Sequence, residues 1–244
     1  ALGITHPRLS PDGSRIAFVA LGDLYIVSSK GGTPENLTKD AALDADADWS
    51  PDGRRIVFSS DRVGGLPQLF IKDLKTGKDR QLTNMDTQPL GAAWSPDGKQ
   101  IAFIDVDGRW GVAGVCVVDV ASGKVTRLQT SLGQPGSPSW SADGKYVVIS
   151  LSYKYSNSFR EGTNQVYVIP VDGTTKPFWQ IPQENMSLDT RSGSGPAWSP
   201  DGTRMAGIYE GLLKVWPVAA DAKPLGPARS YTSDIAFFTT WSGD

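Results

Sequence analysis

Short apolar runs alternate along this chain with tight clusters of turn-forming residues. RIAFV at 15–19, RIVFS at 55–59, QIAFI at 100–104 and KYVVI at 145–149 each follow such a cluster. A strand wet on one side would alternate apolar and polar residues. These runs do not, which predicts strands buried on both faces. A third strand of each unit follows: LYIV at 24–27, LFIKD at 69–73, VCVVD at 115–119, QVYVI at 165–169 and LLKVW at 212–216. Tight turns at GGT 31–33, TGK 76–78, SGK 122–124 and DGT 172–174 then lead to short outer strands, ENLT 35–38, RQLT 80–83, TRL 126–128 and FWQI 178–181. Charge and threonine on those outer strands suit exposed sheet edges. No segment carries an apolar period of 3.6, so almost no helix is expected.

The turn ahead of each apolar run is a repeat. SPDG occurs at 10–13, 50–53, 95–98 and 199–202, with SADG at 141–144 and a broken copy, SGD, at 242–244. Trp49, Trp94, Trp140, Trp198 and Trp241 stand directly before the serine, and Leu9 takes that place in the first copy. The period is roughly 40–45 residues, stretched to about 58 between Asp143 and Asp201, and it is the period of a four-stranded propeller blade. Proline presets φ at the first central turn position, Asp bonds nearby backbone amides, and Gly accepts positive φ. Together they specify a type I turn followed by a left-handed residue.

The expected fold is therefore all-β: a β-propeller of four-stranded antiparallel blades, five complete plus the first strand of a sixth. It forms a single domain over 1–244, with blades at about 5–40, 41–85, 86–130, 131–183 and 190–232 and a lone strand at 233–244. A lone inner strand leaves a sheet edge unpaired. The expectation is that the natural chain continues past Asp244 or that a partner fills the gap.

Composition narrows the function classes. Among 244 residues, 39% are hydrophobic and 20% charged, with a net charge of −2. That balance fits a chain with a substantial core and excludes a general nucleic-acid binder, which needs a basic surface. No apolar run approaches the roughly 18 residues of a membrane span, although a membrane-bound complex stays open as a partner. The lone Cys116 lies in an apolar run and reads as a buried small hydrophobe.

Catalytic signatures are missing. A zinc hydrolase centre or a Ser-His-Asp triad would both have to use His6, the single histidine. There is no GxSxG elbow and no phosphate-binding glycine loop. The acidic cluster Asp44, Asp46 and Asp48 is the main candidate for channel chemistry. At alternate strand positions the three are expected to share a face. An ordinary solvated lead-in is the favoured reading and a bound calcium the alternative; no other cofactor or metal is expected.

In a meander blade the longer connections, between strands two and three and between successive blades, fall on one rim. They carry Arg62, Arg109, Trp110, Tyr153, Tyr155, Phe159, Arg160 and Arg191. Arginine and aromatics held on a rigid scaffold are the expected binding residues, with mutual packing as the alternative.

The repeat WSPDG, then IAF, then an aromatic-IV strand and LT, resembles the repeat of TolB-like β-propellers. HPRLSPDG at 6–13, ALGDLYI at 20–26, DADADWSPDG at 44–53, FSSDR at 58–62 and FREGTNQ at 159–165 also resemble the propeller that precedes the catalytic domain in some bacterial amidohydrolases. The first resemblance implies a periplasmic interaction protein. The second implies the leading domain of a metal-dependent hydrolase whose catalytic half is not in this chain. The reading favoured here is a non-catalytic scaffold that binds a protein partner or serves as accessory subunit of a larger assembly. A small-molecule or glycan binder using the central channel is a third, weaker reading.

Overall fold

The computed structural model describes residues 3–108, 113–154, 162–184, 186–189, 195–234, 236 and 241. The described residues contain no helix and form five four-stranded antiparallel sheets, arranged as blades in a ring. Blade one holds β1 (Thr5–Leu9), β2 (Arg15–Ala20), β3 (Asp23–Ser28) and β4 (Glu35–Asn36). Blade two holds β5 (Asp44–Trp49), β6 (Arg55–Ser60), β7 (Gln68–Asp73) and β8 (Asp79–Gln81). Blade three holds β9 (Gln88–Trp94), β10 (Gln100–Val106), β11 (Ala113–Asp119) and β12 (Val125–Leu132). Blade four holds β13 (Ser139–Trp140), β14 (Tyr146–Lys154), β15 (Gly162–Pro170) and β16 (Phe178–Gln180). Blade five holds β17 (Ala197–Trp198), β18 (Arg204–Tyr209), β19 (Leu212–Pro217) and β20 (Arg229–Ser230). Each sheet runs in chain order from inner to outer strand.

The sixth-blade strand expected at 233–244 falls largely outside the described residues. Within that span, the Ala236 amide donates to the Gly211 carbonyl at 2.7 Å, and the Trp241 indole donates to the Ala197 carbonyl at 3.0 Å.

Two-faced burial is what the second strands do. In β6, Ile56 and Phe58 pack with Ala17, Val19 and Leu24 of blade one, while Val57, between them, packs with Trp94 and Phe103 of blade three. The other blade junctions repeat this. Ile104 and Val115 meet Trp140 and Ile149, and Val148 and Val166 meet Trp198 and Met205. Every described repeat tryptophan from Trp49 to Trp198 therefore sits in the cluster shared with the preceding blade. Cys116 is fully buried in one of these clusters. Burial pushes its thiol up to about 12, so it stays protonated and inert.

The motif serine explains the repeat. In all five turns its hydroxyl donates to the motif aspartate at 2.5–2.7 Å and accepts the amide five residues on at 2.9–3.0 Å. The glycine amide closes the turn onto the serine carbonyl, as in Gly53 to Ser50 at 2.8 Å, with Gly53 at φ 64°. The Ser10 hydroxyl, then the Ser14 amide and hydroxyl, hold the Asp12 carboxyl down at about 2. Asp201 is held at about 2 in the same way, by Ser199 first and then Thr203.

Ser50 has no exposed surface. Ser50→Ala leaves the Arg55 amide without its side-chain acceptor and is expected to cost about 1–3 kcal/mol, read from urea unfolding. A loss under about 0.5 kcal/mol, the level of an ordinary surface change, would contradict this account of the turn.

Candidate functional site

The connections between second and third strands and between blades share one rim, where the binding residues were expected. Arg109, Trp110, Tyr155, Phe159, Arg160 and Arg191 lie outside the described residues. Arg62 and Tyr153 are described, and both are engaged in packing. The Arg62 guanidinium donates to Ser60 Oγ at 2.9 Å and Asp44 Oδ1 at 3.0 Å, approaches Asp40 Oδ2 at 3.6 Å and bonds Asp79. It also lies over Phe58 and Phe70, 4.9 and 5.1 Å from the ring centroids. A planar fork stacked on aromatics suits several carboxylates at once, which a lysine does not. Arg62 is thus a clasp at the top of blade two. The Tyr153 ring meets Trp179 edge-on at 5.1 Å, and Tyr167 packs on the same indole at 4.7 Å.

The acidic triplet does not share a face, which corrects the expectation from simple alternation. The pairing of β5 with β6 runs Asp44 with Ser60 and Ala45 with Ser59, then slips, so that Asp48 pairs with Val57. Asp46 and Ala47 oppose one residue, and Asp46 has φ 54°. This bulge turns Asp44 and Asp48 to opposite faces. Asp44 points toward blade one, onto Arg62, with its side chain fully buried. Asp48 accepts the Trp94 amide of blade three at 2.9 Å. Asp46 bridges three inner strands: Oδ2 accepts the Gly91 amide at 3.0 Å, and Oδ1 lies 3.3 Å from His6 Nε2. His6 and Gly91 hold the equivalent bulge positions of their own strands, at φ 50° and 62°. The expected carboxylate cluster is three separate contacts: Asp46 and Asp48 tie neighbouring blades, and Asp44 belongs to the Arg62 clasp of blade two. Among the described residues no group of three His, Cys, Asp or Glu side chains comes together to hold a metal ion.

Burial pushes the Asp48 carboxyl up, against the pull of Arg8 and the Trp94 and Trp49 amides. Burial likewise raises Asp44, against Ser60, Thr38 and Arg62. Asp48 lines a cavity of about 430 Å³ at the motif-turn mouth of the channel, together with Arg8, Pro51, Trp94, Pro138 and Trp140. Tryptophan and proline make up half of its lining residues.

Two features of the rim escape a reading by residue type. The Gln68 amide nitrogen reaches the carbonyls of Met85 and Thr87, and Gln165 reaches those of Gln183 and Met186. Gln68 opens β7 and Gln165 stands three residues into β15, each one residue before the apolar run of its third strand, and they pin the exits of blades two and four. Their matched positions in the repeat are the signal. The second feature is apolar. Ile4, Leu21, Leu43, Val63 and Leu66, all on this rim in blades one and two, make up five of the eight exposed large hydrophobics among the described residues.

A ring of five four-stranded antiparallel blades defines a β-propeller. The model of the TolB beta propeller domain matches residues 3–113 and 65–211, and the chain belongs to that family. It is 44% identical over 50 residues to the Tol-Pal system protein TolB of Bordetella pertussis, covering 20% of this chain and 11% of that protein. It is 33% identical over 78 residues to the uncharacterized peptidase YuxL of Bacillus subtilis, covering 28% of this chain and 12% of that protein. The matched segments thus span only about a tenth of these curated relatives. The structure of a putative TolB from Agrobacterium tumefaciens superposes with a TM-score of 0.77 at 23% identity, over 99% of this chain and 87% of that one. At that identity the likeness concerns the fold.

Three substitutions at two positions test the geometry. Arg62→Met strands the Asp44 carboxylate and is expected to cost about 3 kcal/mol, the low end for breaking a buried pair because Arg62 keeps some solvent. Arg62→Lys should recover less than half of that. An Arg62→Lys protein as stable in urea as the parent would remove the clasp. A raised carboxyl pKa adds stability below the unfolded value, near 3.9, and loses it as pH rises through the folded value. A raised carboxyl makes Asp48 a cost to stability at pH 7, and Asp48→Asn, which keeps an acceptor for the Trp94 amide, should raise Tm there. The turn aspartates have the opposite sign, their contribution fading as pH falls from about 4 toward 2. A lower Tm for Asp48→Asn at pH 7 would contradict the assignment.

Proposed function

We propose that this chain is a non-catalytic binding propeller that docks a protein partner on its loop rim, in the manner of a periplasmic accessory subunit. The observation that carries the reading is the group of exposed apolar side chains on that rim, Leu21 at 69%, Leu43 at 65% and Val63 at 52% exposure. Solvated leucines scattered singly need no explanation, but neighbours on a rigid rim are how interfaces are built. Membership of the TolB propeller family supports the interaction role and the periplasmic setting. The carboxylates that the sequence offered for chemistry are committed to structural contacts, Asp46 and Asp48 between blades and Asp44 with Arg62, which also favours scaffold over catalyst.

A second reading is a leading propeller domain of a larger hydrolase. It is favoured by the likeness to a protein named as a peptidase, of which the match spans 12%. A native polypeptide far longer than 244 residues, detected with an antibody against this chain, supports it. A native product of about this length removes it.

Site-specific photo-crosslinking tests the binding reading. A benzophenone side chain at position 43 or 63, exposed to native envelope extract, should give one discrete crosslinked product. The same probe at Gln81, on the outer strand of blade two, should not. Equal labelling at Gln81, or none at 43 and 63, would overturn it.

A further inference from the structure

We infer that the rim of blades one and two docks a polypeptide segment presenting apolar side chains bordered by lysine or arginine; this rests on the binding reading above. The patch is continuous. A Cβ placed on Gly22 would lie 3.1 Å from Leu43 Cδ2, and the Leu43 amide donates to Asp61 Oδ1 at 2.8 Å, at the start of the loop that bears Val63. Leu21 and Gly22 form the two-residue turn joining β2 to β3, both at positive φ, 57° and 89°. Asn or Gly is the favoured first residue of such a turn, and a leucine there bears backbone strain. The equivalent turn of blade five has Glu210 at φ 50°, a side chain suited to water. Blade one instead holds a strained leucine 69% exposed on the rim.

The border of this patch is acidic. Asp40 and Asp86 are exposed and Asp61 is partly so, against one exposed cation, Lys39. Arg62, the other cation nearby, is spent on Asp44, Asp40 and Asp79. An apolar centre with a negative border is complementary to an apolar segment with positive flanks. An anionic membrane surface would be repelled by the same carboxylates, and a second copy placing this patch against itself would set like charges together.

Fluorescence anisotropy with three synthetic peptides of equal length tests the assignment: an amphipathic Leu/Lys peptide, its Leu/Glu counterpart and a Ser/Lys peptide. The Leu/Lys peptide should bind at least ~10-fold more tightly than either other at low salt, and weaken as salt screens the border. Leu43→Ser with Val63→Ser should weaken it ~10-fold while leaving the urea midpoint unchanged, since both side chains are exposed. Asp61→Asn with Asp86→Asn, which keeps an acceptor for the Leu43 amide, should weaken it several-fold and flatten its salt dependence. Leu/Lys binding that survives both double variants moves the partner off this patch, overturning the inference while leaving a binding propeller standing. Equal binding of the Leu/Glu peptide overturns the charge assignment. No binding by any peptide, together with no crosslink at 43 or 63, removes both. A concentration-dependent dimer abolished by Leu43→Ser with Val63→Ser gives the patch to a second copy, and binding to phosphatidylglycerol vesicles gives it to a membrane; either result overturns the inference.

Discussion

Everything in this molecule depends on how one sheet is keyed to the next. A sheet apolar on both faces is stable only between two others, so the blade junction is the unit of stability. At each junction from Trp49 to Trp198, a tryptophan just before the motif serine enters the cluster of the preceding blade. The indole N–H of Trp49 reaches the Arg8 carbonyl at 3.0 Å, that of Trp140 the Ala93 carbonyl at 2.9 Å, and that of Trp241 the Ala197 carbonyl at 3.0 Å. An indole burying ~150–250 Å² contributes about 4–6 kcal/mol at ~25 cal/mol/Å², against about 1 kcal/mol for its hydrogen bond. Burial holds the blades together; at the junctions of Trp49, Trp140 and Trp241 the hydrogen bond adds registration, while the Trp198 indole bonds Gly202 of its own turn. Arg15 stacked over Trp49 and Arg55 over Trp94, each 4.7 Å from the ring centroid, seal the outside of the first two junctions.

At two junctions the residue before the tryptophan adds to the keying. Asp48 takes the Trp94 amide, and Ser139 takes the Trp198 amide at 3.0 Å. Polar groups of the inner strands are thereby used between blades, and the channel wall is left mostly apolar. The motif turns use their aspartates on their own amides. What stays uncommitted is the opposite rim, where connections vary in length and carry exposed leucines. The division is physical: one rim is consumed by the repeat, and the other is free to carry function.

Much of the fold was legible because a single motif states it repeatedly. SPDG fixes a turn, the apolar run after it fixes a strand buried on two faces, and the roughly 40–45-residue period fixes the blade. The candidate site was less legible, for identifiable reasons. Asp44, Asp46 and Asp48 read as one face because alternation assumes an unbroken strand, and the bulge at Asp46 and Ala47 breaks it. A left-handed aspartate inside a strand leaves no mark in one sequence; only the repeat, with His6 and Gly91 three residues before Leu9 and Trp94, carries a trace. Arg62 read as a rim contact because its partners Asp44 and Asp79 are 18 and 17 residues away. Leu21 was legible and overlooked: a leucine ahead of glycine in a two-residue hairpin stands where Asn belongs. A search restricted to long loops passes over it.

Hydrogen exchange at the indole nitrogens tests the keying of the blades most directly. In ¹⁵N-labelled protein, the indole protons of Trp49 and Trp140, both buried, should exchange only through global unfolding, while that of the partly exposed Trp179 exchanges quickly. Exchange of the two keyed indoles within minutes, while the strand amides around them stay protected, would contradict this account of how the propeller is held together.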